Sequence, residues 1–219
     1  MSAILYKPPA IFIHVPKTAG SAMERTPVFA PSSGHLTMAQ VFHYVLPTLP
    51  DFPRVPAPFP FAFVRNPLDR LVSIFHHRPH DAGLFPSLPR SPDGFARLLD
   101  HLVAYFPDGV DAAIPDHLPP PYSLPDRWPL HHHFLPQHYF ITWPRDYGVT
   151  VFRYEDLPGA WTEILQRLGA DSPSNRLPPA APNNRLPLDF YYTPRTRAIA
   201  VDLYRRDCEL WYHENFDSI

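Results

Sequence analysis

The sequence places one lysine among small and hydroxyl-bearing residues directly after an apolar run. This segment, Pro16–Ala22, contains Lys17, Thr18 and Ser21. A loop of this composition that leads into a helix aims backbone N–H groups at one point, and the helix dipole adds positive potential there. Lys17 would add a full charge, and the two hydroxyls would add hydrogen-bond donors. The segment by itself fits either a phosphate-binding loop or an ordinary turn with a surface lysine.

A second junction of the same kind carries Arg65 and Ser73. Arg65 follows an apolar run, and the carboxyl end of a strand is where open α/β sheets bind their ligands. Asn66 is a good N-cap, and Pro67 suits the first position of the helix that follows. Apolar residues recur along this helix on one face, which leaves Arg70 and Ser73 off that face. The sequence therefore predicts a second anion site, with Arg65 and Ser73 as its donors.

The elements that must position these side chains alternate between strand and helix. Short apolar runs predict buried strands at residues 11–14, 61–64 and 149–153. Amphipathic spacing predicts helices at 38–45, 67–75, 95–106, 157–168 and 194–211. Residues 21–25 can form only a short helix before Pro27 interrupts it. This alternation predicts an α/β fold with a mainly parallel central sheet flanked by helices. The 32 prolines fall largely between these segments, so we expect a loop-rich protein with long connections.

Composition narrows the class of protein. At 219 residues, of which 45% are hydrophobic, the chain is long enough for one domain with a substantial core. A formal net charge of −2 does not favour binding to nucleic acid or to an anionic membrane, so an anionic ligand would need a local site. The single cysteine, Cys208, excludes an intramolecular disulfide and fits a reducing compartment. Without an N-terminal signal or an apolar run of membrane-spanning length, the sequence predicts a cytoplasmic protein.

Taken together, the two segments resemble the cofactor-binding motifs of sulfotransferases that use 3′-phosphoadenosine 5′-phosphosulfate (PAPS). The similarity is greatest to the branch that includes carbohydrate 2-O-sulfotransferases and many bacterial homologues. In that family a Pro-Lys-Thr-Gly-Gly-Thr-Ser segment binds the 5′-phosphosulfate, and here Pro16–Ala22 reads Pro-Lys-Thr-Ala-Gly-Ser-Ala. The family's second motif, Arg-Asn-Pro followed by Arg and Ser, binds the 3′-phosphate and is intact in Arg65–Ser73. Weaker similarities follow in the family's order at residues 35–37, 133–137, 153–157 and 191–193.

The resemblance implies a single domain over residues 1–219, with a three-layer fold similar to that of P-loop NTPases and an acceptor-side insertion at about 76–143. It implies transfer of a sulfuryl group from PAPS to a hydroxyl or amine, with release of adenosine 3′,5′-bisphosphate and without a metal. The acceptor is expected to be a carbohydrate, a small alcohol or a phenol. The positions matched to cofactor binding are Lys17, Thr18, Ala19, Gly20, Ser21, Ala22, Arg65 and Ser73.

Sulfuryl transfer makes two demands on the side chains near the reacting group. Negative charge develops on the oxygen that leaves with the 5′-phosphate, and Lys17 is the candidate cation for stabilising it. The acceptor hydroxyl needs a base, for which His35 is the first candidate because related enzymes place a histidine after the first helix. His133 is the alternative base. It belongs to the run His131–His133, whose side chains must point in different directions, and this argues against a metal site.

Two positions depart from the family pattern. Ala19 stands where the family has glycine, and a positive φ there would strain an alanine. Ala22 lacks a hydroxyl that often contacts phosphate. These departures leave open a second hypothesis, a catalytically inactive protein of sulfotransferase fold that binds a nucleotide or a glycan. A nucleotide kinase fits less well, because the sequence lacks the Gly-x-x-x-x-Gly-Lys-Ser/Thr loop.

Overall fold

A computed structural model describes residues 3–6, 9–23, 25–26, 28, 35–49, 58–77, 88–120, 132–177 and 186–213. The chain divides into two compact units. The sheet unit comprises residues 1–65, 117–123 and 137–183, and the helical unit comprises residues 66–116, 124–136 and 184–219. Among the described residues, no helix is long and apolar enough to cross a membrane.

Strands and helices alternate along the chain, which confirms the predicted α/β fold class. The described strands are β1 (Ala3–Tyr6), β2 (Pro9–Ile13), β3 (Phe59–Val64) and β4 (Thr150–Arg153). The described α-helices are α1 (Gly20–Met23), α2 (Met38–Gln40), α3 (Pro67–His77), α4 (Pro92–Tyr105), α5 (Gln137–Ile141), α6 (Leu157–Arg167), α7 (Leu188–Tyr191), α8 (Pro194–Leu203) and α9 (Arg205–Trp211). A π-helical turn spans Val41–Val45. Short 3-10 helices span Leu46–Thr48, Val110–Ala113, His132–Phe134, Tyr154–Asp156 and Pro173–Asn175.

The four strands form one sheet in the sheet unit, in the order β1-β2-β3-β4. β1, which the sequence pattern does not predict, pairs antiparallel with β2. β2, β3 and β4 run parallel, which confirms the mainly parallel sheet. The register pairs Ile13 with Ala62 and Val64 with Arg153, so the parallel strands end at the same edge. The loops that follow β2 and β3 therefore begin at the edge where such sheets bind ligands.

α6 packs against one face of this sheet. Phe12, Phe61 and Phe63 on that face share a buried cluster with Trp161 and Ile164 of α6. The rings of Phe12 and Phe61 stack with their centroids 5.3 Å apart. Residues 10–13 of β2 and 61–64 of β3 are buried, which explains why their sequences are continuous apolar runs rather than alternating patterns. Full burial of a large apolar side chain stabilises a fold by roughly 1.5–3 kcal/mol.

The helix after β3 begins as the sequence predicts. The side-chain oxygen of Asn66 accepts the N–H of Leu68 at 2.9 Å, and its carbonyl accepts the N–H of Arg70 at 2.8 Å. Arg70, however, is not off the buried face, because it is only 1% exposed. Its Nη2 donates to the carbonyls of His133 at 2.7 Å and Leu135 at 2.9 Å. Arg70 therefore ties residues 133–135 to α3 within the helical unit.

Two predicted helices are interrupted. The predicted helix at 38–45 becomes α2 followed by the π-helical turn. A regular helix would place Phe42 on the same face as buried Met38, but Phe42 is 40% exposed because the wider turn shifts the register of side chains. The predicted helix at 194–211 breaks at Tyr204, which separates α8 from α9. The Tyr204 hydroxyl donates to the carbonyl of Phe134 at 2.8 Å, and burial raises the pKa of this hydroxyl.

Candidate active site

The loop after β2 contains two non-glycine residues with positive φ. Lys17 has a φ of 68° and Ala19 has a φ of 126°. Both values lie in the region that favours glycine, where another residue costs about 1–3 kcal/mol. The strain that the sequence anticipates for an alanine at position 19 is therefore present. Such strain persists only where surrounding contacts hold the backbone, and it concentrates at functional sites.

Gly20 leaves room for the ring of His14. A Cβ built on Gly20 would lie 1.7 Å from Nε2 of His14, so a larger residue would have to displace the ring. His14 is buried, and its ring stacks on Phe12 with the centroids 5.7 Å apart. It also lies against the ring of His35, with the centroids 4.3 Å apart. The close approach of His14, rather than a positive φ, requires this glycine.

Internal hydrogen bonds hold the loop. The hydroxyl of Thr18 donates to the carbonyl of Val15 at 2.8 Å, so its single proton is already used. The N–H group of Ala22 donates to the carbonyl of Ala19 at 2.8 Å, and the Ala22 methyl group packs against the buried cluster of the sheet unit. The side chain of Ser21 lies outside the described residues. The hydroxyl of Thr18 could donate to a ligand only after its bond to Val15 breaks.

Arg65 brings the two predicted anion-binding segments into contact. Its Nη1 donates to the carbonyl of Lys17 at 3.3 Å. Its guanidinium carbon lies 4.4 Å from the centroid of the Tyr154 ring, which is a cation–π contact. Only 4% of Arg65 is exposed. The guanidinium is therefore held between a carbonyl and an aromatic face, at the edge of the sheet where β3 ends.

Gln137 binds the backbone of Arg65. The N–H of Arg65 donates to Oε1 of Gln137 at 2.8 Å, and Nε2 of Gln137 donates to the carbonyl of Arg65 at 2.9 Å. Sequence reasoning gives no role to Gln137 or to Tyr154, although both lie in segments with weaker family similarity. Their contacts with Arg65 join parts of the chain that are far apart in sequence, so spacing along the chain does not reveal them.

His35 is held by a backbone carbonyl. Its Nδ1 lies 2.9 Å from the carbonyl oxygen of His14. Because a carbonyl oxygen only accepts hydrogen bonds, Nδ1 must carry a proton, and the lone pair of the neutral ring is then on Nε2. The ring is half-buried. A histidine fixed in this way can accept a proton through Nε2.

Two further predicted residues, Ser73 and His133, belong to the helical unit. Ser73 lies in α3 and is half-buried. His133 is buried, and its ring contacts those of His77 and His132 with centroids 4.9 and 4.4 Å apart. Its carbonyl accepts a hydrogen bond from Arg70. These contacts give His133 a packing role in the helical unit.

The comparison with known families bears directly on this arrangement. Residues 6–213 match the family model described as the sulfotransferase family. The chain belongs to the sulfotransferase family. No curated protein and no solved structure matches it. Membership confirms the resemblance seen in the sequence and supports sulfuryl transfer as the general activity.

The donor set of this sulfotransferase-family protein fits the anionic nucleotide that the family generally uses. Lys17 and Arg65 supply two cations from adjoining segments of the sheet unit. The fork of N–H groups on a guanidinium matches the geometry of phosphate oxygens. The face of Tyr154 lies against that guanidinium without neutralising its charge. Residues of this chemistry can bind a phosphorylated ligand.

Proposed function

We propose that this protein transfers a sulfuryl group from PAPS to a hydroxyl or amine on a carbohydrate or a small metabolite. The observation that carries the proposal is the hydrogen bond from Arg65 to the carbonyl of Lys17, which joins the two cation-bearing segments. Two neighbouring cationic segments suit a nucleotide with phosphates at two positions better than a ligand with a single anionic group.

The nucleotide would be held by side chains and by backbone N–H groups. Arg65 would bind the 3′-phosphate through its fork of donors, and Ser73 would add a hydroxyl. Lys17 and the backbone of residues 18–22 would bind the oxygens of the 5′-phosphosulfate. Within that range the N–H of Ala22 already donates to Ala19, so the remaining amides are the better candidates.

When bound, PAPS supplies a sulfuryl group attached to a stable leaving group. Lys17 would stabilise the negative charge that develops on the leaving oxygen. Nε2 of His35 would accept the proton of the acceptor hydroxyl as the acceptor oxygen bonds to sulfur. A sulfuryl group carries less charge than a phosphoryl group, so this chemistry does not demand a metal. His133 is kept as the alternative base.

We assign the acceptor site to residues at about 76–143 within a single domain over residues 1–219. The support is compositional, because this segment contains many aromatic and histidine side chains. Aromatic faces can stack on sugar rings and on phenols. Residues 78–87 and 121–131 of the segment lie outside the described residues.

The strain at Ala19 supports a second candidate, a non-catalytic protein that binds a nucleotide or a glycan. A φ of 126° at an alanine raises the free energy of the loop that would receive the 5′-phosphosulfate. A loop that relaxes from this conformation would lose its alignment with the reacting group. Nucleotide binding through Arg65 could persist in such a protein.

Two measurements separate these candidates. Isothermal titration calorimetry with adenosine 3′,5′-bisphosphate tests the nucleotide site. Transfer of radiolabelled sulfate from PAPS to a panel of saccharides, alcohols, phenols and amines tests the reaction, and mass spectrometry identifies the product. Binding together with a labelled product supports the sulfotransferase. Binding without product on any acceptor supports the non-catalytic candidate, and no binding at millimolar nucleotide rejects the sulfotransferase.

A further inference from the structure

The side chain of Gln137 pairs with the peptide groups of Arg65 as a neighbouring strand would. Its Oε1 accepts the Arg65 N–H at 2.8 Å, and its Nε2 donates to the Arg65 carbonyl at 2.9 Å. Only one orientation of the carboxamide satisfies both bonds, since one atom must accept and the other must donate. Gln137 is completely buried, so water does not compete for either bond.

This pairing occurs one residue beyond the regular sheet. β3 ends at Val64, which lies opposite Arg153 in β4. Arg65 is the next residue, and it is buried, so its N–H and carbonyl need partners within the protein. Gln137, the first residue of α5, supplies both. These two bonds extend the hydrogen-bond pattern of the sheet to Arg65 and fix the position of its Cα atom.

The rest of Arg65 is held from other sides. Its guanidinium stacks on Tyr154 and donates to the carbonyl of Lys17. A long arginine side chain loses considerable rotamer freedom when it binds a ligand, and this loss is smaller when the free protein already orders it. With the backbone anchored by Gln137, only the head group would have to adjust to an anion.

We propose that Gln137 is a positioning residue for Arg65 and sets the preference of the site for nucleotides that carry a 3′-phosphate. The inference rests on the proposed function, in which Arg65 binds that phosphate. Loss of the Gln137 amide would remove two hydrogen bonds from the buried N–H and carbonyl of Arg65 and would let its backbone shift. The guanidinium would then keep its charge but lose its alignment with the phosphate.

Four variants test this role. Gln137→Met keeps the length of the side chain but removes both hydrogen bonds. Gln137→Glu keeps an acceptor for the Arg65 N–H and loses the donor to the carbonyl. Gln40→Ala is the matched control, because Gln40 is also buried and its amide also binds backbone groups, those of Thr37, Pro119 and Pro120. Arg65→Ala removes the guanidinium.

The readout is the ratio of two dissociation constants measured by calorimetry, one for adenosine 3′,5′-bisphosphate and one for adenosine 5′-phosphate. Gln137→Met should reduce the preference for the bisphosphate about tenfold, as expected for the loss of one well-aligned charged hydrogen bond. Gln137→Glu should give an intermediate preference. Both Gln40→Ala and Gln137→Met should lower the melting temperature, but Gln40→Ala should leave the preference for the bisphosphate unchanged. Combining Gln137→Met with Arg65→Ala should give no further loss beyond Arg65→Ala alone.

The outcomes distinguish this proposal from the function on which it rests. If the wild-type protein binds both nucleotides equally, the 3′-phosphate site itself is rejected, and the role of Gln137 is rejected with it. If the wild type discriminates but Gln137→Met retains that preference, only the role of Gln137 is overturned. The same holds if Gln137→Met weakens binding further in the Arg65→Ala background. Should Gln137→Met fail to fold, an unchanged preference in Gln137→Glu overturns the proposal and a reduced one supports it.

Discussion

Nδ1 of His35 donates a hydrogen bond to the carbonyl of His14, the residue that follows the last residue of β2. The bond fixes the tautomer of the proposed base, and it attaches that base to the strand that leads into the Lys17 loop. The two imidazole rings also lie against each other, with centroids 4.3 Å apart. The position of His35 thus depends on the same strand end as the loop that carries the proposed catalytic cation.

Replacing His35 by asparagine should remove the base and keep the anchor, because the asparagine amide can still donate to the His14 carbonyl. We expect kcat to fall by about 10²–10⁴-fold. The affinity for adenosine 3′,5′-bisphosphate should change little. Steady-state kinetics and calorimetry measure the two quantities. If His133→Asn abolishes turnover and His35→Asn does not, the base is His133.

Replacing Lys17 by alanine should slow the reaction far more than it weakens product binding. The amine is proposed to stabilise the negative charge that develops on the leaving oxygen only as its bond to sulfur breaks. We therefore expect kcat to drop by about 10²–10³-fold. Arg167→Ala is the control, since Arg167 is an exposed cation paired with Glu163 and should be nearly neutral in both assays. Equal losses in kcat and in affinity for adenosine 3′,5′-bisphosphate would contradict a transition-state role.

Replacement by glycine should have opposite effects on stability at Ala19, in the loop, and at Ala22, in α1. Ala19→Gly removes the cost of a φ of 126° and should raise the free energy of unfolding by about 1 kcal/mol. Ala22→Gly lies in α1, where the methyl group packs against the buried cluster, and should lower it by about 1 kcal/mol. Urea denaturation gives both values. The Ala19 methyl group also belongs to the buried cluster, so a loss at both positions would mean that its packing outweighs the backbone strain.

Gly20→Ala should destabilise the protein by about 1–3 kcal/mol, because the new methyl group would overlap the His14 ring. Removing that ring with His14→Ala should make room for it. The double variant should therefore be more stable than the sum of the single effects predicts. Chemical unfolding of the wild type and the three variants provides a double-mutant cycle. Strict additivity of the two effects would argue against the close approach of Gly20 and the His14 ring.

The stability of the helical unit should decline at alkaline pH. Burial, assisted by the charge of Asp207, raises the pKa of the Cys208 thiol from 9.0 to about 12. The unfolded chain therefore loses this proton at a lower pH than the folded chain, so the contribution is complete below pH 9 and falls as the pH rises towards 12.

Cys208→Ala should make the free energy of unfolding less dependent on pH in this range. Buried Tyr192 and Tyr204, whose pKa values burial also raises, should account for a residual dependence. An aromatic disulfide reagent should label Cys208 in the denatured protein and only slowly in the native one, since the thiolate is the reactive form. An identical pH dependence in Cys208→Ala would show that this thiol ionises equally in both states.

The sequence predicts those parts of the fold that depend on local patterns. The apolar run of β3 and the N-cap at Asn66 suffice to locate a strand and the helix after it. Arg70 shows the limit of such patterns. The carbonyls of residues 133 and 135 accept hydrogen bonds from its guanidinium and so offset the cost of burying this charge. Hydrophobic periodicity does not reveal these distant acceptors. Phe42 is exposed because a π-helical turn shifts its register.

For the candidate site as well, local patterns predict some residues and miss others. Lys17 and Arg65 are predicted because each follows an apolar strand within its own segment, and the structure places them in contact. Tyr154 and Gln137 could not be predicted, because they reach Arg65 from parts of the chain far away in sequence. Their roles depend on how the segments pair, which a single local pattern does not determine.

The sheet unit is assembled from three separate stretches of the chain, and this has a consequence for folding. β3 pairs directly with β4, although α3, α4 and α5 lie between them in sequence. Pairing of this kind closes a long loop and is intrinsically slow. During synthesis Arg65 would leave the ribosome well before Gln137 and Tyr154. A nascent chain would therefore contain Lys17 and Arg65 before Tyr154 and Gln137 can order the arginine. The proposed nucleotide site would then form only after β4 has joined the sheet.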